Sequence, residues 1–159
     1  VTGDPPQDMG RKIYPTISTD VIRKFKMEMP EVKVYAGIDQ YRTSMRAESY
    51  SIKRKIQAGA DGFFTQPFFD LRFLEIYAEL LEGKEVYWGV SPVLSDKSVN
   101  YWETKNNVVF PKNFAPTLEW NIDFAQKVLE FVTRTNSNIY FMPIRTKLAD
   151  YLSGILAKK

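Results

Sequence analysis

Five polar residues, Asp4, Asp39, Gln66, Ser91 and Arg145, each follow a short apolar run that reads as a strand or its tail. Carboxylates, an amide, a hydroxyl and a guanidinium gathered on one rim can bind and orient a polar ligand by hydrogen bonds and charge. Gln66 is the best placed of the five. It sits in Gly62-Phe63-Phe64-Thr65-Gln66-Pro67-Phe68-Phe69-Asp70, whose aromatic first half suits a strand buried on both faces. Pro67 offers no amide hydrogen, so regular pairing is expected to stop near Gln66. Asp70 can then cap a following helix. Thr65 and Gln66 thus fall at the carboxyl end of a strand, where parallel α/β folds bind ligands. A glutamine that only satisfies neighbouring backbone fits this stretch equally well. For Asp4, ahead of Pro5-Pro6, a turn-forming role is the simpler reading from the residues alone.

A second set lies on one helix face. Glu48, Ser51 and Lys55 are spaced i, i+3, i+7 within a helix predicted over 47–58 and ended by Gly59. A solvated charged face is the ordinary explanation of that pattern. The apolar stripe of the same helix is Met45, Ile52 and Ile56.

Composition removes several chemistries. With no histidine and no cysteine, imidazole-based triads, histidine- or thiolate-bound metals and disulfides are excluded, and no metal site is predicted. The absence of cysteine and of any apolar run long enough to cross a bilayer points to a cytoplasmic protein. A formal charge of +3, with its basic residues dense only at Lys53-Arg54-Lys55 and Lys158-Lys159, argues against nucleic acid as a partner.

The elements that must position these residues follow in order. A helix opens at Ser18-Thr19-Asp20, carries Val21, Ile22, Phe25 and Met29 on its apolar stripe, and ends at Pro30. Strands are predicted over 32–38, 62–66, 86–90 and 139–142, with amphipathic helices over 71–81, 96–105 and 118–133 and a last one carrying Leu148, Tyr151, Leu152, Ile155 and Leu156. Strands alternating with helices argue for parallel βα units with right-handed crossovers. Four strands and the tail of a fifth fall short of the eight in a closed (β/α)₈ barrel. The reading is therefore an α/β fold, a partial TIM barrel of four to five parallel strands, with residues 1–159 as the C-terminal half of one such domain. The lack of an initiator Met fits a fragment, and open sheet edges favour a homo-oligomer.

Four segments together resemble methylenetetrahydrofolate reductase: Gly3-Asp4-Pro5-Pro6, the stretch 52–60 (IKRKIQAGA), Thr65-Gln66-Pro67-Phe68-Phe69-Asp70 and Gly89-Val90-Ser91-Pro92-Val93. The resemblance is strongest between Glu48 and Val93 and thins after Trp102. It implies a (β/α)₈ barrel that passes a hydride from NAD(P)H through FAD to 5,10-methylenetetrahydrofolate, giving 5-methyltetrahydrofolate. It also implies roles by position. Asp4 matches an aspartate near the flavin ring, where negative charge disfavours the anionic reduced form. Glu48 stands where the family has an aspartate contacting the adenosine part of FAD, and Ser51 where it often has Asn. Lys55 matches a lysine near the ribityl-phosphate region. Gln66 matches the glutamine that hydrogen-bonds the folate pterin. Trp102 falls where a phenylalanine packs over substrate, with a place in the core as the competing reading. Arg145 resembles an arginine that pairs with folate's glutamate carboxylate.

The sequence also departs from the family. The usual tyrosine-proline-acid segment after the fifth strand appears as Ala36-Gly37-Ile38-Asp39, with Tyr35 and Tyr41 nearby, and Met142-Pro143-Ile144 replaces a more polar ending of the last strand. The family's general acid, a glutamate on its first strand, lies outside this chain and is not one of these departures. These departures leave open a folate- or flavin-binding relative without nicotinamide-dependent activity, or an inactive fragment.

Overall fold

The computed structural model describes residues 15–144 and 146–157. In chain order these form α1 (Ser18–Glu28), β1 (Tyr35–Ile38), α2 (Met45–Gln57), β2 (Gly62–Pro67), α3 (Leu71–Leu80), β3 (Glu85–Val90), α4 (Asp96–Asn106), α5 (Leu118–Thr135), β4 (Asn138–Phe141) and α6 (Leu148–Leu156). The strands lie in the order β1-β2-β3-β4 and every neighbouring pair is parallel. Parallel neighbours need helical crossovers, and α2, α3 and the α4–α5 pair supply them. This is the architecture of part of a (β/α)₈ barrel, as the sequence predicts.

Alternation along the strands sorts side chains onto two faces. Ala36, Ile38, Phe63, Val86, Trp88 and Val90 are buried in one cluster with Ile22, Ile52, Leu74, Tyr77, Val128 and Phe131 of the helices. The opposite face carries an aromatic row. Tyr35 meets Phe64 edge-on at 5.8 Å, Phe64 stacks on Tyr87 at 4.4 Å, and Phe64 leans on Tyr140 at 5.5 Å. Burial of β2 on both faces is therefore not observed: Phe64 stays 39% exposed, because among the described residues no helix covers this side of the four strands.

Local chemistry sets the element ends. The Asp70 carboxylate accepts from the amides of Arg72 (2.8 Å) and Phe73 (3.3 Å), capping α3 as expected. Ser44 caps α2, which starts at Met45 rather than Ala47, and Met45 itself points outward. Gly59 ends that helix at φ +104°, a conformation open to glycine, and a Cβ there would meet Lys26 Cγ at 2.9 Å. β1 is shorter than the predicted 32–38: its ladder begins at Tyr35, and Val34 instead bonds Asp61 through its amide (2.6 Å) and its carbonyl (2.9 Å). On α1 only Thr19 and Ile22 are buried. Phe25 and Met29 remain partly exposed, since α1 meets the body chiefly through α2. On α6, Tyr151 and Ile155 face inward and Leu148 and Leu156 do not.

At the amino end of the aromatic face, Glu85 accepts from Tyr35 Oη (2.8 Å) and Tyr87 Oη (3.2 Å), with Lys33 Nζ at 3.6 Å. The Tyr35 hydrogen bond, helped by Lys33, holds the Glu85 carboxyl below its ordinary range, and the same bond pushes the Tyr35 phenol up to about 12. This cluster closes the end of the sheet opposite to Gln66.

Candidate active site

Strand β2 bulges just before the site. Phe64 pairs with Tyr87 and the ladder resumes with Pro67 opposite Gly89, so Thr65 and Gln66 together oppose the single residue Trp88. Pairing does not stop near Gln66, as the proline suggests. It shifts register there, and the bulge accommodates a residue that has no N–H.

The bulged backbone is held by side chains. The Gly89 amide donates to Thr65 Oγ1 at 3.0 Å, and the Phe68 amide donates to the Gly89 carbonyl at 2.9 Å. The Tyr140 hydroxyl donates to the Thr65 carbonyl. Gln40 Nε2 donates to the Gln66 carbonyl at 2.8 Å and reaches the Pro67 carbonyl at 3.3 Å, where Tyr41 Oη also donates at 3.1 Å. Gly89 is required in this arrangement, because a Cβ there would lie 2.7 Å from the Tyr140 hydroxyl oxygen.

Gln66 itself is half-buried, and its side-chain amide makes no hydrogen bond to another described residue. It lines a cleft of about 500 Å³ together with Gly37, Glu48, Ser51, Lys55 and Tyr140. Four residues singled out by sequence, from β2 and from one face of α2, are thus brought to one cavity. The solvated-face reading of α2 fails on burial. Lys55 is 12% exposed, and its Nζ donates to the Gly37 carbonyl at 2.7 Å and lies 3.7 Å from Glu48 Oε1. Glu48 is buried and its Oε1 accepts no hydrogen bond. Desolvation raises the Glu48 carboxyl above its ordinary range, opposed by the Lys55 charge and by a bond from the Asp39 backbone. A buried carboxylate oxygen without a donor, beside a cation, is a polar socket for a ligand with hydroxyl and anionic groups.

Other residues fall elsewhere. Trp102 is 5% exposed and packs edge-on against Phe69 at 5.4 Å, in a second core cluster with Val93 and Val108. It does not line the Gln66 cleft, and the structure gives it the core position that competed with substrate stacking. Asp4 and Arg145 lie outside the described residues. Asp39 reaches the cleft but is engaged by Arg42 Nε at 3.1 Å and by the Tyr41 amide at 3.2 Å. Ser91 donates to the Met142 carbonyl at 2.8 Å and ties β3 to the end of β4. Sequence reasoning missed Gln40 and Tyr140. Their partners lie 26 and 75 residues away, and no local pattern announces such contacts.

Parallel strands with an amide at one carboxyl end, facing a carboxylate and a lysine from the neighbouring helix α2 across one cleft, define an enzyme-type α/β barrel segment with a rim site. The family model for methylenetetrahydrofolate reductase matches residues 1–132. The chain belongs to that family, whose members are oxidoreductases of folate one-carbon metabolism and generally bind flavin.

Proposed function

We propose that the protein reduces 5,10-methylenetetrahydrofolate to 5-methyltetrahydrofolate at the expense of NAD(P)H, with FAD as cofactor. The observation that carries this reading is the unengaged Gln66 amide, which shares its cleft with Glu48, Ser51 and Lys55. An amide both donates and accepts, which suits the edge of a pterin, and fixing that ring sets the reacting carbon in place.

The polar lining fits FAD. The undonated Glu48 Oε1 is an acceptor for a sugar hydroxyl, the Ser51 hydroxyl can donate or accept, and Lys55 offers charge to a phosphate. When bound, FAD supplies a two-electron carrier between nicotinamide and folate. Asp4 is assigned to the flavin ring and Arg145 to folate's glutamate carboxylate, both from the resemblance. The four strands are read as the C-terminal half of the barrel, and the protein as a cytoplasmic homo-oligomer.

The absorbance spectrum of the purified protein, before and after adding FAD, tests the cofactor. A flavin spectrum with folate-dependent NAD(P)H oxidation supports the reading, whereas a protein that neither carries nor takes up FAD contradicts it. The engagement of Asp39 by Arg42 and of Tyr35 by Glu85 favours one second reading, a folate- and flavin-binding relative that does not oxidise nicotinamide. Methyltetrahydrofolate oxidation by an artificial acceptor, without NAD(P)H oxidation, would single it out.

A further inference from the structure

We infer that Gln40 is a positioning residue: it fixes the direction of the Gln66 side chain by holding the carbonyls of Gln66 and Pro67, those of the two successive peptide links that flank Pro67. The inference rests on the folate reading for its consequence, though not for its geometry.

Gln40 lies two residues past the end of β1 and is 3% exposed. Its Nε2 donates to both the Gln66 and Pro67 carbonyls, and Tyr41 Oη adds a second donor to the latter. Those carbonyls belong to the segment where β2 leaves its register with β3. On the β3 side the ladder resumes with Pro67 opposite Gly89, where the Phe68 amide donates to the Gly89 carbonyl at 2.9 Å and the Gly89 amide reaches the Thr65 hydroxyl at 3.0 Å. Side-chain donors reinforce this irregular segment from outside the ladder, and Gln40 is the one among the described residues whose side chain bonds the carbonyl of residue 66 itself. Gln40 also keeps its Oε1 buried without a donor. A glutamine chosen only for packing would be better replaced by an apolar residue of its shape, which leaves no such orphan. What an apolar residue cannot supply is the pair of bonds to the bulge.

The test is Gln40→Met, which keeps length and shape and removes the donor, with Tyr41→Phe as a second, milder variant. In Gln40→Met, kcat/KM for the folate should fall about tenfold, the weight of one buried hydrogen bond, while FAD affinity stays within about twofold. Combined with Gln66→Ala, the Gln40 change should cost almost nothing further, because the side chain it orients is gone. The NMR signals of the Gln66 side-chain NH₂ should move in Gln40→Met and move less in Tyr41→Phe. Additive losses in the double variant, or Gln66 signals unchanged by Gln40→Met, overturn the inference. If Gln66→Ala leaves folate use intact, the folate reading fails, and the NMR signals alone decide the role of Gln40.

Discussion

Lys55 and Glu48 lie two turns apart on α2 with 3.7 Å between Nζ and Oε1, and both side chains are nearly buried. Side chains at this spacing share a face, and here that face looks into the cleft beside Gln66 and not into solvent. The pair is too long for a direct hydrogen bond, which leaves the carboxylate oxygen available to a ligand while the lysine offsets part of its charge.

Replacing Lys55 should weaken FAD binding before it affects folate. Lys55→Met removes a cation and its bond to the Gly37 carbonyl. FAD affinity should drop about tenfold or more, with an unfolding cost of about 2 kcal/mol from leaving Glu48 unpaired. Flavin titration and thermal melts read the two effects separately. Unchanged FAD affinity would remove Lys55 from the cofactor site.

Glu48 predicts a pH signature. Its folded carboxyl is raised above the ordinary 4.5, chiefly by desolvation. The folded state then holds this proton more tightly than the unfolded chain does. Glu48 therefore contributes stability fully below about 4.5, and the contribution is lost as pH rises through the higher folded value. Glu48→Gln abolishes that titration, so its melting temperature should rise relative to the parent's as pH increases above about 4.5. Identical pH profiles would contradict the assignment.

Gly89→Ala tests the packing behind the bulge. The new methyl would meet the Tyr140 hydroxyl oxygen at 2.7 Å and its ring carbons at 2.9 and 3.0 Å. Displacing that ring costs about 1–3 kcal/mol and breaks the bond to the Thr65 carbonyl. Adding Tyr140→Phe should restore only part of the loss, since the ring carbons still clash. Chemical denaturation of the single and double variants reads this directly.

Trp102 separates core from substrate contact. Trp102→Ala empties space against Phe69, Val93 and Val108 and should cost about 3–5 kcal/mol of stability. Well below its melting temperature the variant should keep the parent's KM for the folate. A large rise in KM without loss of stability would return Trp102 to the substrate.

Much of this arrangement was legible in the sequence, and the exceptions share a cause. The order of parallel strands follows from alternating patterns, and the cap at Asp70 and the stop at Gly59 follow from local chemistry. The grouping of Gln66 with Glu48, Ser51 and Lys55 comes only through the family resemblance, since the spacing of the α2 residues by itself reads as a solvated face. What did not show was set by long-range contact. Pro67 announces an irregularity, yet only the β3 register decides that it is a bulge and not a strand end. Phe64 has a core residue's chemistry, and its exposure depends on what covers the far face. Gln40 looks like any polar loop residue until the carbonyls it serves arrive from 26 residues away.

The central claim is that the Gln66 amide reads the folate. Steady-state kinetics of Gln66→Ala, with FAD affinity measured alongside, test it most directly. kcat/KM for the folate should fall about 10- to 100-fold while FAD affinity is unchanged. Folate kinetics equal to the parent's, in a variant that still holds FAD, would contradict it.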